Sequence, residues 1–182
     1  MKIKINAALV GGAAAAAIAA ALSGAGSANA SCASLNGQSI GKGCESTPGS
    51  VAIGLGRDAK ADSAGPGSVA IAVGNPGYSR FYKSNQPTLA YAHGTGNVSV
   101  ALGDGSLAGT LGNGNRAFVL GQGSTAFSYG GNTGNPLTPF GSSHNTSVTV
   151  GDDSEAGAVG PHHKLSTAFG NHRQHLNNGL GG

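Results

Sequence analysis

Histidine is the residue type whose number and spacing in this chain come closest to a metal-binding pattern. Four of the six histidines lie in one C-terminal segment: His162, His163, His172 and His175. Imidazole is a common ligand of zinc and nickel, but a tight site usually adds thiolates or carboxylates. The nearest carboxylates precede this segment, in 152–155. We therefore interpret the histidines as solvated polar side chains and predict neither a metal site nor a cofactor.

Three glycine-rich strings match the G-x-G-x-x-A pattern of dinucleotide-binding loops. They begin at Gly103, Gly112 and Gly121. That pattern normally occurs once, between a strand and a crossover helix, and copies nine residues apart leave no room for the helix. The nine-residue spacing of these strings also resembles that of calcium-binding nonapeptide repeats. In this chain, however, Leu107, Arg116 and Thr125 occupy the position of the ligating aspartate. The strings are therefore interpreted as corners of a structural repeat.

The sequence also lacks the spacings of common hydrolases. The nearest approach to the G-x-S-x-G nucleophile motif is 126–130, which begins with alanine. The chain has only seven Asp and Glu in total, and their scatter does not favour the paired carboxylates of a glycoside hydrolase. We predict that the protein is not an enzyme.

The only two cysteines of the sequence are Cys32 and Cys44. In an exported protein two nearby cysteines pair by default. Closing so short a loop contributes about 3 kcal/mol in the chain-entropy model. We predict a disulfide within an N-terminal cap, 31–49, that precedes the first clear repeat.

Residues 1–30 have the three parts of a secretory signal peptide. The segment begins with two lysines among its first four residues, continues as an alanine-rich run in 7–22, and ends with a small-x-small site at 28–30. We predict cleavage before Ser31 and no membrane span afterwards. The expected location is secreted, either extracellular or associated with the cell wall.

The charge that remains after cleavage is close to neutral. Eight Lys and Arg then face seven Asp and Glu, and the cations lie singly along the chain. Nucleic-acid binding requires a basic patch or stripe. We predict no nucleic-acid partner.

An internal repeat predicts the strands and corners that would position the candidate residues discussed above. A phrase of alternating small and large residues recurs six times, starting at Ser50, Ser68, Ser99, Ala117, Ser147 and Ser166. The copies group into supra-repeats 50–98, 99–146 and 147–170. The alternation predicts a strand for each phrase, and the glycine that usually follows it predicts a corner. We predict an all-β fold, with a parallel β-roll or solenoid over 50–170 and a flexible tail, 171–182.

The larger residues of each phrase are predicted to face the interior of the roll. They are Val51, Ile53, Val69, Ile71, Val100, Leu102, Phe118, Leu120, Val148, Val150 and Phe169. So few large apolar residues make a narrow core, and sharing a second surface between copies would bury more apolar area. We predict a homotrimer, in preference to a monomer, with contact through Ala52, Ala70 and Ala101 on the opposite face.

One excursion, 74–98, interrupts the repeat and gathers most of the tyrosines of the chain. Tyr and Arg are enriched in protein contact hot spots. Four residues are therefore candidates for partner binding: Tyr78, Arg80, Phe81 and Tyr82. The alternative is a loop that folds back to cover one flank of the roll, and the sequence leaves both interpretations open.

The repeat unit, Ser-Val-Ala-Ile/Leu-Gly-x-x-Ser/Ala-x-Ala, resembles the head repeats of trimeric autotransporter adhesins. Residues 99–126 match it best, and the resemblance extends more loosely over 50–170. It implies a left-handed parallel β-roll, association as trimers, and binding to host surfaces or matrix proteins. The alanine-rich leader is typical of an exported actinobacterial-type protein.

The expected function is therefore a secreted or cell-surface binding module of adhesin-head type, which contacts host or envelope components. The alternative is a structural packing component of the cell envelope that has no foreign ligand.

Overall fold

A computed structural model describes residues 32–79, 83–130, 144–160 and 163–178. These residues form an all-β structure, with seventeen strands and no helix in the described ranges. The predicted all-β class is confirmed. The predicted signal peptide, 1–30, lies outside the described residues. Within the described part of the chain, no helix is long and apolar enough to cross a membrane.

Two large sheets contain most of the strands. The first sheet has the spatial order β16 (Leu165–Phe169), β14 (Thr146–Val150), β12 (Arg116–Leu120), β10 (Val98–Leu102), β6 (Val69–Val73), β4 (Val51–Leu55), β1 (Cys32–Leu35) and β2 (Gln38–Ile40). The second has the order β17 (Gln174–Asn178), β15 (Glu155–Gly160), β13 (Thr125–Gly130), β11 (Leu107–Leu111), β9 (Leu89–His93), β5 (Lys60–Ala64) and β3 (Cys44–Ser46). A separate hairpin pairs β7 (Gly77–Ser79) with β8 (Ser84–Gln86).

The repeated phrases stack in register within the first sheet. From β4 onwards the chain alternates between the two sheets, apart from the hairpin, and neighbouring strands of each large sheet run parallel. Val51 therefore pairs with Val69, and Val100 pairs with Phe118. One strand of the first sheet, the following strand of the second sheet and their corners together form one repeat unit.

Apart from Val119, which is 2% exposed, small residues fill the interior between the sheets, so the predicted orientation of the strands is wrong. Ala52, Ala70 and Ala101 are fully buried, and they cannot form a contact with another copy. The large residues that were predicted to face inward are half-buried or exposed instead, with Leu120 and Phe169 55% and 62% exposed.

The physical reason for this reversal is the short distance between the two sheets. The Ser147 hydroxyl on β14 accepts a hydrogen bond from the Ala158 backbone N–H on β15, at 2.9 Å. The Ser99 hydroxyl on β10 likewise donates to the Tyr91 carbonyl on β9, at 2.6 Å. A single serine therefore spans from one backbone to the other. An inward valine or isoleucine at these positions would overpack the interior.

A ladder of buried asparagines holds one corner of the stack. The Oδ1 of Asn97 accepts the backbone N–H of Asn115 at 2.8 Å, and the Oδ1 of Asn115 accepts that of Asn145 at 2.8 Å. Their side-chain amides donate to corner carbonyls, as from Asn115 to Leu111 at 2.7 Å and from Asn145 to Gly160 at 2.8 Å. All three asparagines are fully buried. The ladder thus satisfies backbone groups that would otherwise be costly to bury.

Serines and glycines form the opposite corner. The hydroxyls of Ser106, Ser124 and Ser154 each donate to a glycine carbonyl in the next repeat unit. Gly121, with φ +143°, lies so close to the next unit that a Cβ there would overlap the Gly151 carbonyl. Three of the glycines predicted to end strands, Gly103, Gly121 and Gly151, are therefore required by close approach as well as by backbone conformation.

The predicted disulfide between Cys32 and Cys44 is confirmed, with an S–S distance of 2.02 Å. Both cysteines are buried, and a Cβ on Gly54 would lie 2.6 Å from the Cys32 sulfur. The glycine therefore makes room for the bridge. At this end of the first sheet β1 and β2 run antiparallel to their neighbours, joined by an Asn-Gly turn with positive φ at both residues.

At the other end, the second sheet extends into the segment that we expected to form a tail. The last strand, β17, pairs in parallel with β15, and Ala156 lies opposite His175.

The asparagine ladder gives a test of the interior. We expect Asn115→Ala to lower the free energy of unfolding by about 2 to 4 kcal/mol, because it leaves buried partners of both the Oδ1 and the Nδ2 unpaired. Asn113→Ala is the matched control, since Asn113 also accepts a backbone N–H, from Thr95 at 3.1 Å, but in an exposed position. The control should lose less than about 1 kcal/mol, because water replaces the bond. Urea unfolding followed by circular dichroism measures both, and equal losses would contradict this account.

Candidate functional site

The excursion predicted from the sequence contains the β7–β8 hairpin. Tyr78 lies on β7 opposite Asn85, and its side chain is 57% exposed. Arg80, Phe81 and Tyr82, the other predicted partner-binding residues, lie outside the described residues. The structure thus places one aromatic candidate at the molecular surface.

The hairpin lies against the serine-glycine corner. Ser79 is buried and its hydroxyl donates to the Gly123 carbonyl at 3.4 Å. The Tyr78 carbonyl lies 2.5 Å from the point that a Cβ on Gly123 would occupy. The Asp104 carboxylate accepts the Asn75 backbone N–H at 2.7 Å and holds the start of the excursion. The hairpin therefore covers this corner with its backbone while the Tyr78 ring faces outward.

The outer side of the first sheet is an apolar surface, which we call the apolar face. Its outward residues on the parallel strands are Val51, Ile53, Leu55, Val69, Ile71, Val73, Val98, Val100, Leu102, Arg116, Phe118, Leu120, Thr146, Val148, Val150, Leu165, Thr167 and Phe169. Six strands of five residues cover roughly 25 Å by 16 Å. A contiguous apolar patch of this size marks an interaction surface.

The outer side of the second sheet carries a different surface, the aromatic face, built from Tyr91, His93, Phe127 and Tyr129. The Tyr91 and Phe127 ring centroids are 6.5 Å apart, and those of Phe127 and Tyr129 are 5.7 Å apart with an angle of 24°. The Tyr91 and Tyr129 hydroxyls hydrogen-bond to each other at 2.9 Å. Beside the rings, His93 Nε2 lies 2.9 Å from Asp62 Oδ2.

The aromatic face also carries a carboxyl group with altered acidity. Glu155 occupies the first position of β15 on this sheet, and burial raises the pKa of its side chain. Desolvation disfavours the ionised form of a carboxyl group.

The C-terminal histidines that the structure describes lie in separate surroundings. His172 Nε2 lies 3.7 Å from an Asp153 oxygen, and His175 Nδ1 lies 2.9 Å from the Ser166 hydroxyl. His163 stacks on His144, with ring centroids 5.2 Å apart, and His162 lies outside the described residues. No group of three or more potential metal ligands occurs in the described ranges.

Sequence reasoning missed the aromatic face and the His144–His163 stack. The aromatic residues sit at outward positions of weak repeat copies, where Tyr91, Gly109 and Phe127 occupy equivalent places in successive strands. An alignment of these weaker repeat copies with one another could have identified the aromatic residues from the sequence. His144 and His163 are 19 residues apart in the sequence, and this spacing alone does not indicate that their rings stack.

Comparison with known proteins identifies no relative: no family model matches the chain, and neither a curated protein nor a solved structure shows significant similarity to it.

The contact between hairpin and corner can be tested at Gly123. We expect Gly123→Ala to loosen the hairpin, because the new methyl group would meet the Tyr78 carbonyl. Gly96→Ala is the matched control: φ is +66° at Gly96 and +61° at Gly123, but nothing lies within 4 Å of a Cβ at Gly96. Both variants should lose about 1 to 2 kcal/mol from left-handed strain. Only Gly123→Ala should speed hydrogen exchange of the β7 and β8 amides, and equal exchange in both variants would refute the contact.

Proposed function

We propose that this chain is a secreted or cell-surface, non-enzymatic binding module of adhesin-head type. The observation that carries the proposal is that the interior is filled mainly by Ala, Ser, Thr and Asn, with Val119 among them, while most large apolar and aromatic residues face outward. Large outward residues contribute little to a core, and grouped apolar surface marks sites of association. Such a protein presents its recognition chemistry on its flanks.

The proposed architecture is a parallel β-roll, a solenoid of SVAIG-type coils. Its support is the alternation of the chain between two parallel sheets, with repeat phrases paired in register. The close approach of successive corners at glycines gives further support. The left hand of the roll and the relation to trimeric autotransporter adhesin heads rest on the sequence resemblance.

The proposed location is outside the cytoplasm, either extracellular or associated with the cell wall. A disulfide is typical of an oxidising compartment, and Cys32 and Cys44 form one. The signal-peptide pattern of 1–30 gives the export route, with release before Ser31.

We further propose a homotrimer that buries the apolar face. Its rows of Val, Ile, Leu and Phe repeat from strand to strand, so the same contact recurs along the stack when copies lie side by side. The resemblance to trimeric heads supports three copies. This surface replaces the alanine contact predicted from the sequence, because those alanines lie inside the protomer.

A second candidate function is a packing component of the cell envelope with no foreign ligand. The same observation of an apolar face on the first sheet favours it, since self-association alone could account for that surface. The two functions differ in whether the hairpin binds another molecule.

Oligomeric state tests the trimer. We expect the purified protein to sediment as a trimer at micromolar concentration and Val100→Glu to sediment as a folded monomer, because a charge in an apolar contact is costly to desolvate. Val159→Glu, on the second sheet at a site that is 38% exposed, is the control and should remain trimeric. A monomeric wild-type protein, or a trimeric Val100→Glu variant, would exclude this interface.

Binding to defined matrix proteins tests the function. We expect saturable binding of the purified protein to immobilised collagen, fibronectin or laminin, measured by surface plasmon resonance, and at least about tenfold weaker binding for Tyr78→Ala, the size of a typical hot-spot loss. Tyr78 is exposed, so the variant should keep the melting temperature of the wild type. Self-association without saturable binding to any of the three proteins would support the packing function instead.

A further inference from the structure

Large residues and glycines alternate along the middle of the aromatic face. Successive strands of the second sheet place in register Tyr91, Gly109, Phe127, Gly157 and Leu176. Every second strand therefore has no side chain at this outward position.

The glycines let the neighbouring large side chains lie across the sheet. The phenol ring of Tyr91 occupies the space that a Cβ on Gly109 would need. A methyl group of Leu176 does the same at Gly157, 2.8 Å from the point where a Cβ would stand. Tyr91 thereby reaches over β11 to contact Tyr129 on the far strand. The three half-buried rings form one contiguous aromatic surface, the platform, in which the Phe127 ring stacks on that of Tyr129 and is tilted by 45° against that of Tyr91.

Polar groups border this platform. The paired Tyr91 and Tyr129 hydroxyls lie at one end of the rings, and the His93–Asp62 pair lies next to Tyr91. The side chains of His93 and Asp62 are 39% and 44% exposed. The hydroxyl and imidazole groups can donate and accept hydrogen bonds at the edge of a stacked ligand, and the carboxylate can accept them.

We propose that the aromatic face binds a linear, uncharged polysaccharide. The C–H faces of sugar rings are apolar and stack on aromatic rings, while their equatorial hydroxyls need donors and acceptors around the rim. The platform and its border supply these two kinds of contact side by side. This inference goes beyond the proposed function, because it adds a second ligand class at a site separate from the hairpin and Tyr78.

Charge and side-chain type favour this ligand over other partners. Lys60 and Asp62 alternate on β5, and Glu155 lies further along the same sheet, so the face carries no basic stripe for the phosphates of a nucleic acid or the sulfates of an acidic glycan. An apolar protein segment would be matched by the aliphatic apolar face on the first sheet. A neutral sugar chain fits the mixture of rings and hydroxyls.

Titration with cellohexaose and N-acetylchitohexaose tests the proposal, with heparin as the anionic comparison. The chain has no Trp and four Tyr, so its intrinsic emission reports directly on tyrosine, and calorimetry gives an independent affinity. We expect saturable binding of at least one neutral hexasaccharide with a change in tyrosine emission. Phe127→Ala should weaken it about tenfold, the scale of one aromatic contact.

Two further variants locate the site. Phe127→Leu retains apolar bulk and should keep the fold while still weakening sugar binding. Tyr78→Ala removes an aromatic ring from the hairpin and should bind the sugar as the wild type does. Equal affinities for Phe127→Leu and the wild type, or weakening by Tyr78→Ala alone, would overturn the assignment to the aromatic face.

The outcome also separates this inference from the proposed function. A protein that binds a matrix protein through Tyr78 but neither neutral hexasaccharide would overturn the polysaccharide proposal and leave the binding module standing. Preference for heparin over both neutral sugars would also overturn it. A protein that binds none of these ligands would overturn both proposals.

Discussion

The short distance between the two sheets is the constraint on which the rest of the structure depends. One serine side chain is enough to join the backbones of facing strands, as Ser147 does with Ala158. The core can therefore contain little beyond Ala, Ser, Thr and Asn. In most domains large apolar side chains fill the space between layers, whereas here the layers are too close to admit them in number.

A core of this kind must be stabilised by hydrogen bonds as much as by apolar burial. Small side chains bury little apolar area each, and polar ones are costly unless they are paired. The asparagine ladder and the serine corner meet this requirement by bonding to backbone groups of the next repeat unit. Each unit thereby provides partners for its neighbour, so the interior is continuous along the stack.

The same constraint places the large residues on the outside, where the two sheets present different chemistry. The first sheet presents rows of aliphatic residues, which suit contact with copies of the same chain. The second presents aromatic rings spaced by Gly109 and Gly157, with tyrosine hydroxyls and the His93–Asp62 pair at their border. The hairpin adds an exposed Tyr78 at the corner between them.

The sequence by itself determined the periodic part of the protein. Alternating phrases from Ser50 onward predicted the strands, the glycines after them predicted the corners, and the spacing of Cys32 and Cys44 predicted the disulfide, because these features are encoded in consecutive residues. It did not determine which face of each strand is buried. The alternation of small and large residues assigns Val51 and Ala52 to opposite faces of the strand, but it does not indicate which of the two points inward. Ala52 points inward because the distance between the sheets is short. The tertiary structure also determined the aromatic face, because Tyr91, Gly109 and Phe127 become neighbours only when their strands pair in register.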